Sequence, residues 1–213
     1  MSDQVGVAAF DFDGTITERD TLLGFLEFVG GRRRVASALA AQSPTLARGL
    51  RSSEARNTAK ERVLGQVLRG RAVDDVTDAG IRYAATLPTG FRRETLQHIA
   101  SHRAADHRLV IVSASLVYYL RPIAADLGFE DVIAVEMSVG DDDRLTGTLT
   151  TPNVRREHKA TRLQAWLDER LDGATPELWA YGDSSGDDHL LAMADHATWI
   201  GRRARRGPAV SND

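Results

Sequence analysis

The stretch from Val5 to Thr17 constrains the fold of this chain more than any other. Val5 to Phe10 is a short apolar run, the pattern of a buried strand. Two carboxylates, Asp11 and Asp13, follow where that strand should end, and Gly14 and Thr15 then open a turn. In extended backbone, side chains i and i+2 point the same way, so both acids can face one pocket above the strand end. Like charges that close repel, and the pair calls for a cation or a shared proton. Taken alone, an Asp-x-Asp is equally at home in a polar turn. A calcium hand does not fit, because its loop needs glycine at the sixth position and Gly14 is the fourth.

The segments after this strand are helical in pattern. Thr21 to Val29 is apolar-rich and stops at Gly30-Gly31. Ser52, Ser53 and Glu54 are capping residues for a helical stretch from Ala55 to Leu68, and Val73 to Leu87 has the pattern of another helix. No strand is expected between Arg32 and Leu87. A crossover between parallel strands needs only a dozen or so residues, so residues 18–87 read as an inserted helical cap. The run Arg32-Arg33-Arg34 within it is expected to be a solvated helix start. Residues 1–17 and 88–205 form the expected core, and residues 206–213 a fraying tail.

The core then repeats strand and helix. Phe91 to Ala105 has a helical pattern, and Arg108 to Val112 is a buried strand ending on Ser113. Leu116 to Leu127 is helical, with Pro122 inside it or starting it, and Gly128 caps it. Asp131 to Val135 is a third strand, and Asp141-Asp142-Asp143 is the turn of a hairpin. In Glu157 to Leu171, Leu163, Trp166, Leu167 and Leu171 share one helix face. Lys159 lies in the first turn, the unfavoured end for a cation; exposure statistics alone make it a surface lysine. Glu177 to Tyr181 is a strand ending on Gly182 and Asp183, with Asp187 and Asp188 just beyond, and His196 to Ile200 is the last strand. Alternating strands and helices imply an α/β fold, a Rossmann-like parallel sheet core with a small inserted helical cap.

Composition narrows the function classes. The 213 residues carry a net charge of −3, which gives no electrostatic case for a nucleic-acid partner. There is no cysteine, so disulfides, thiolate metal sites and cysteine nucleophiles are all excluded. That fits a cytoplasmic protein, as does a start, Met1-Ser2-Asp3-Gln4, without signal-peptide character. No apolar run approaches the roughly 20 residues of a membrane span. The six histidines show no metal-ligand spacing.

Three strands thus end on polar groups: Asp11 and Asp13, Ser113, and Asp183 with Asp187. In an open parallel sheet, sites form at the carboxyl ends of strands. If those strands are neighbours, the groups converge, with Lys159 beside them. Oxygens of Asp11 and Asp183 suit magnesium, which keeps part of its water shell. Asp11 can attack phosphorus to form an aspartyl phosphate. Asp13 can protonate the leaving alkoxide and later activate water. Gly14 and Thr15 amides, Ser113, Ala114 and Lys159 form the expected phosphate-binding set.

This pattern resembles the haloacid dehalogenase superfamily, in its phosphoserine-phosphatase-like subfamily IB. The residues that carry the resemblance are Asp11-Phe12-Asp13-Gly14-Thr15, Ser113 after Leu109-Val110-Ile111-Val112, Lys159, and Gly182-Asp183 with Asp187. They occur in family order across nearly the whole chain. The resemblance implies Asp11 as nucleophile, Asp13 as general acid/base, Asp183 and the main-chain carbonyl of Asp13 as magnesium ligands, and Asp187 as the residue orienting the metal shell. Asp13 is absent from the dehalogenating branch, so its presence favours phosphate esters.

Two departures bear on the substrate. Phosphoserine phosphatases carry Ser-Gly-Gly where this chain has Ser113-Ala114-Ser115, and a glutamate where it has Asp20. The form here is more similar to a branch that includes phosphatases of histidinol phosphate and phosphatidylglycerophosphate. Asp20 and Ser115 are therefore the candidate specificity residues. The expected activity is magnesium-dependent hydrolysis of a small or lipid phosphomonoester, with phosphoserine a poor substrate. A phosphotransferase or mutase and a non-catalytic phosphate-binding module are the alternatives. Lys159→Ala is expected to be far more damaging than Lys60→Ala in the cap. Oligomeric state is left open.

Overall fold

The computed structural model describes residues 4–48, 53–151, 154 and 156–201. The tail at 206–213, residues 202–205 of the expected core, Ser52, and the side chains of Ser53 and Glu54 lie outside what is described. Strand β1 (Val5–Phe10) is the centre of a parallel sheet. On one side it pairs with β2 (Arg108–Leu116), which pairs in turn with β3 (Asp131–Val135). On the other it pairs with β6 (Pro176–Gly182), which carries β7 (His196–Trp199) at the edge. Between β3 and β6, β4 (Met137–Val139) and β5 (Leu145–Leu149) form an antiparallel hairpin.

Parallel strands need covering on both faces, which accounts for the apolar runs at their centres. Val7 to Phe10 and Leu109 to Val112 are fully or almost fully buried. The covering helices include α5 (Arg93–Ala104), α6 (Val117–Leu127), α7 (Glu157–Arg170) and the short α8 (Asp188–Ala192). Phe10 stacks on Tyr181 of β6 and meets His102 of α5 edge-on.

Four helices lie between β1 and α5: α1 (Leu22–Gly30), α2 (Arg32–Arg48), α3 (Ser53–Leu68) and α4 (Val73–Ala84). An aromatic cluster joins them to the core. Phe25 of α1, Tyr83 of α4 and Tyr119 of α6 pack on one another, and Tyr119 also meets Phe12. Helix α4 lies very close to α6. Pro122 has no N–H to offer the carbonyl four residues back, which is that of Tyr118, and Gly80 packs against this oxygen where a Cβ would collide. Pro122 is inside α6 and does not start it. Arg32, Arg33 and Arg34 are exposed, as expected.

Some boundaries differ from the sequence reading. β2 runs past Ser113 to Leu116, and its register with β3 shifts between Val112 and Leu116. The three residues Ser113 to Ser115 fall in that irregular stretch. Helix α4 stops at Ala84 and α5 starts at Arg93. Phe91 is instead bridged to Thr17, and Arg92 donates its N–H to the Ile16 carbonyl at 2.7 Å. Those bonds to the chain leaving β1 override local helix propensity. No helix among the described residues is long and apolar enough to cross a membrane.

Candidate active site

The site forms where β1 ends. The Asp11 N–H still donates to the Tyr181 carbonyl of β6, at 2.9 Å. The chain then winds around the Phe12 carbonyl, which accepts from the amides of Thr15, Ile16 and Thr17 at 2.8 to 3.2 Å. This tight turn requires positive φ at Gly14, which is 83°. A side chain at Gly14 would also run into the Asp183 carboxylate. Arg92 donates to the Gly14 carbonyl at 2.8 Å and Thr95 to the Thr15 carbonyl at 2.6 Å, so α5 fixes the loop from behind.

The neighbouring strands supply the rest. Asp11, Asp13, Ser113, Lys159, Asp183 and Asp187 all line one cleft of about 470 Å³. Carboxylate oxygens of Asp11, Asp183 and Asp187 lie within 4.8 Å of one another. Lys159, only 3% exposed, reaches from α7 to both Asp11, at 2.5 Å, and Asp187, at 2.6 Å. It is therefore a buried ion-pairing lysine and not the surface residue that exposure statistics alone favour. Asp187 also accepts from the amides of Asp183 and Ser184 and from the Ser184 hydroxyl, so it ties the β6 loop to Lys159.

Asp11 and Asp13 sit in different environments. Burial pushes the Asp11 carboxyl up to about 7, against the opposing pull of Lys159; the nearby charge of Asp187 adds to the rise. The Thr15 hydroxyl donates to its second oxygen at 3.1 Å. The Asp13 carboxyl is also raised, first by burial and then by the charge of Asp20. The Thr21 amide and hydroxyl donate to it at 2.7 and 2.6 Å, and the Ser115 hydroxyl donates to its other oxygen. Thr21 precedes α1 but does not cap it; its hydroxyl serves Asp13 and touches the Tyr119 phenol at 3.0 Å. Burial and the charge of Asp13 hold that phenol well above its ordinary range.

Ser113 accepts from the Ser115 amide at 3.1 Å, which orients its hydroxyl, and Ala114 lines the cleft beside it. Asp20 lines the cleft too, but one of its oxygens accepts from the Leu22 amide at 3.0 Å. Asp188, adjacent in sequence to Asp187, begins α8 and is not in the carboxylate cluster.

Several residues of the cleft escaped the sequence reading. Lys60 of α3 lines it and donates to the Ala114 carbonyl at 2.6 Å. Lys60 therefore borders the cleft, and Lys60→Ala is not a comparison remote from the site. Thr21, Tyr119 and Arg92 also support the site. Only Thr21 had a local signal, its place at the helix start just after the acids.

Over residues 8–192 the chain matches the haloacid dehalogenase-like hydrolase family. It belongs to that family. Protein CicA of Caulobacter vibrioides (strain NA1000 / CB15N) is 32% identical over 192 residues, covering 89% of this chain and 83% of the relative. A histidinol-phosphatase of Neisseria meningitidis serogroup C (strain 8013) is 31% identical over 100 residues, 45% of this chain and 44% of the relative. Among solved structures, an apo phosphoserine phosphatase superposes with a TM-score of 0.62 at 16% identity, covering 91% of this chain and 85% of that one. This last likeness is one of fold.

Proposed function

We propose that this family member is a magnesium-dependent phosphomonoesterase that works through an aspartyl phosphate on Asp11. One observation carries the reading: two carboxylates two residues apart share one cleft but have different partners. Asp11 is ion-paired to Lys159. Asp13 is half-buried; its carboxyl is raised, and three hydrogen bonds orient it. The Lys159 ammonium favours the ionised form of Asp11 that a nucleophile needs, while burial and the charge of Asp20 favour the protonated form of Asp13 that a proton donor needs.

The donor set fits magnesium. Its side-chain oxygens are all carboxylate, which suits a hard cation. Asp11, Asp183 and Asp187 gather three carboxyl groups around the ammonium of Lys159, with the Arg92 guanidinium also acting on Asp183. The carboxyls of Asp11 and Asp183 are raised, and a cation would favour their ionised forms. Asp11, Asp183 and the Asp13 main-chain carbonyl would hold the ion. Asp187, already shared by Lys159 and two amides, would orient that set. A bound magnesium would offset the charge of the carboxylates and of the phosphate dianion.

The chain's own residues supply the rest. Lys159, the Ser113 hydroxyl and the Ala114 amide bind the phosphoryl oxygens. Of the other expected donors, the Thr15 amide is given to the Phe12 carbonyl and the Gly14 amide to the Thr17 hydroxyl. An Asp11 oxygen bonds to phosphorus as the ester P–O bond breaks, and Asp13 gives its proton to the departing alkoxide. Asp13, now ionised, takes a proton from water. That water's oxygen bonds to phosphorus, the Asp11–phosphorus bond breaks, and inorganic phosphate leaves.

Phosphoserine is expected to be a poor substrate. Asp20 is shorter than the family glutamate and bonds its own backbone, and Ala114-Ser115 adds bulk where the family has glycines. The test is phosphate release from phosphoserine, histidinol phosphate, phosphatidylglycerophosphate and an aryl phosphate, with magnesium or excess chelator. Metal-dependent turnover and an acid-labile phosphoenzyme are expected. Full activity in chelator removes the metal from the account, and no turnover of any ester overturns the phosphatase reading. Phosphoserine ahead by more than about tenfold, or roughly 1.4 kcal/mol, would restore the closer assignment.

A further inference from the structure

A second pocket opens beside the catalytic cleft, between α1, α2 and α3. It measures about 440 Å³ and is lined almost wholly by apolar side chains. Leu26, Ala59, Val63 and Leu64 make its buried floor. Leu23 and Leu39 stand at its walls, 45% and 37% exposed. Asp20, Leu22 and Lys60 line both this pocket and the catalytic cleft, so the two are contiguous. Among the described residues its charged lining is Asp20 and Lys60, and both belong to that shared margin.

Apolar surface left open in this way is normally covered by something, and position decides by what. A substrate whose phosphate lies against Lys159 and Ser113 must send its alcohol portion out past Asp13. The margin of Asp20, Leu22 and Lys60 borders that path. Beyond it, among the described residues, lies apolar wall and no further array of charges to receive a polar alcohol.

We propose that this groove binds an apolar chain on the alcohol portion of the substrate, so that the enzyme prefers phosphomonoesters carrying an alkyl or acyl tail. The inference rests on the phosphomonoesterase reading and extends it to substrate class. The phosphate end is recognised by the charged cleft, and the tail by Leu23, Leu39, Ala59 and Val63. Lys60 sits where the two meet.

The test uses ethyl, butyl and octyl phosphate, kept monomeric, with magnesium. Their leaving alkoxides differ little, so differences report binding along the chain. A buried methylene is worth roughly 0.8 kcal/mol, or about fourfold, and a half-open groove should capture part of this. Octyl phosphate is expected to exceed ethyl phosphate in kcat/KM by at least about tenfold, chiefly through KM. Leu39→Glu should erase this gain while leaving ethyl phosphate turnover within about twofold; Leu39→Met should keep it. Both changes are at a partly exposed wall, and circular dichroism checks that the variants fold. Presenting a dialkylglycerol phosphate in phosphatidylcholine vesicles then separates a lipid source from a soluble one, and turnover in either form supports the tail. If all three esters are hydrolysed at equal kcat/KM, the groove does not bind the chain. A mass that falls on Leu39→Glu, with a flat chain-length response, assigns the groove to a second copy and also overturns the proposal. If no ester is hydrolysed, the phosphatase reading itself has failed.

Discussion

Two lysines meet at the cleft from opposite regions of the molecule, and they are held in different ways. Lys159 comes from α7 of the sheet core and is buried between Asp11 and Asp187. Lys60 comes from α3 of the helical block, is partly exposed, and grips the Ala114 main-chain carbonyl. The core fixes charge against charge, in a place where a lost partner would leave another charge unpaired. The block touches the cleft at its rim and presents apolar wall beyond it. On the proposed reading, chemistry belongs to the carboxyl end of the sheet and selection to the helices.

The strongest test of that division is Asp11→Asn. The change is nearly isosteric, so the fold should survive. Turnover should fall by roughly 10⁴-fold or more, as when a nucleophile is removed from a catalytic set. Steady-state phosphate release and acid trapping of phosphoenzyme read the result. Appreciable turnover, with deamidation excluded by mass spectrometry, would break the covalent mechanism.

Lys159→Ala comes next. It removes the proposed phosphate donor and leaves Asp11 and Asp187 without the cation they share. Breaking a buried pair on one side costs about 3–5 kcal/mol. Both melting temperature and activity should drop, activity by about a thousandfold or 4 kcal/mol. A loss no greater than that of Lys60→Ala would erase the distinction between the two regions. Asp183→Asn should be milder. It should raise the magnesium concentration for half-maximal activity by about 10- to 100-fold, the range seen when a metal site loses a supporting group. An unchanged magnesium titration would remove Asp183 from the metal set.

How much of this was legible in the sequence follows the same division. Asp11, Asp13 and Asp183 could be placed because they follow strand ends, and Ser113 because the apolar run of β2 stops there although the strand continues to Leu116; an apolar run giving way to polar residues is a local mark. The parallel order around β1 then brings them together. The burial of Lys159 and the reach of Lys60 depend on contacts 148 and 54 residues away in sequence. No local pattern records them. The same holds for Tyr119, which meets Thr21 across 98 residues. The apolar groove was invisible for another reason. Leu23, Leu39 and Val63 have the spacing of ordinary core positions, and only the packing of α1 on α2 and α3 leaves a gap between them.

Lys60→Ala sharpens the comparison from the side of the block. Lys60 donates to the backbone carbonyl of Ala114. Its loss should loosen the Ser113-Ala114-Ser115 stretch and cost about tenfold in kcat/KM, some 1.4 kcal/mol. The loss should appear mainly in KM, with melting temperature nearly unchanged. A thousandfold loss in kcat would move Lys60 into the chemistry and dissolve the division.

The smallest expected effect concerns stability and not turnover, and it belongs to the core alone. His102 of α5 is buried against Phe10 and Trp179. One ring nitrogen pairs with a His107 ring nitrogen at 2.9 Å and the other with the Tyr181 hydroxyl at 2.8 Å. Burial, then the neighbouring His107 and His98, lower its pKa from 6.5 to about 4. The unfolded chain therefore binds a proton between pH 6.5 and 4 that the folded chain refuses. Stability from this group is complete above pH 6.5 and is lost as pH falls toward 4. The melting temperature should drop by a few degrees across that window, beyond the fall due to carboxylates. His102→Gln removes the titrating ring and should flatten that part of the profile, even if it lowers the melting temperature at pH 7. The helical block has no histidine, because none lies between Thr21 and Gly90. An acid profile unchanged by His102→Gln would mean that the ring takes up its proton in the folded state as readily as in the unfolded one. The pairing of His102 with His107 and Tyr181 would then no longer distinguish the core in its response to acid.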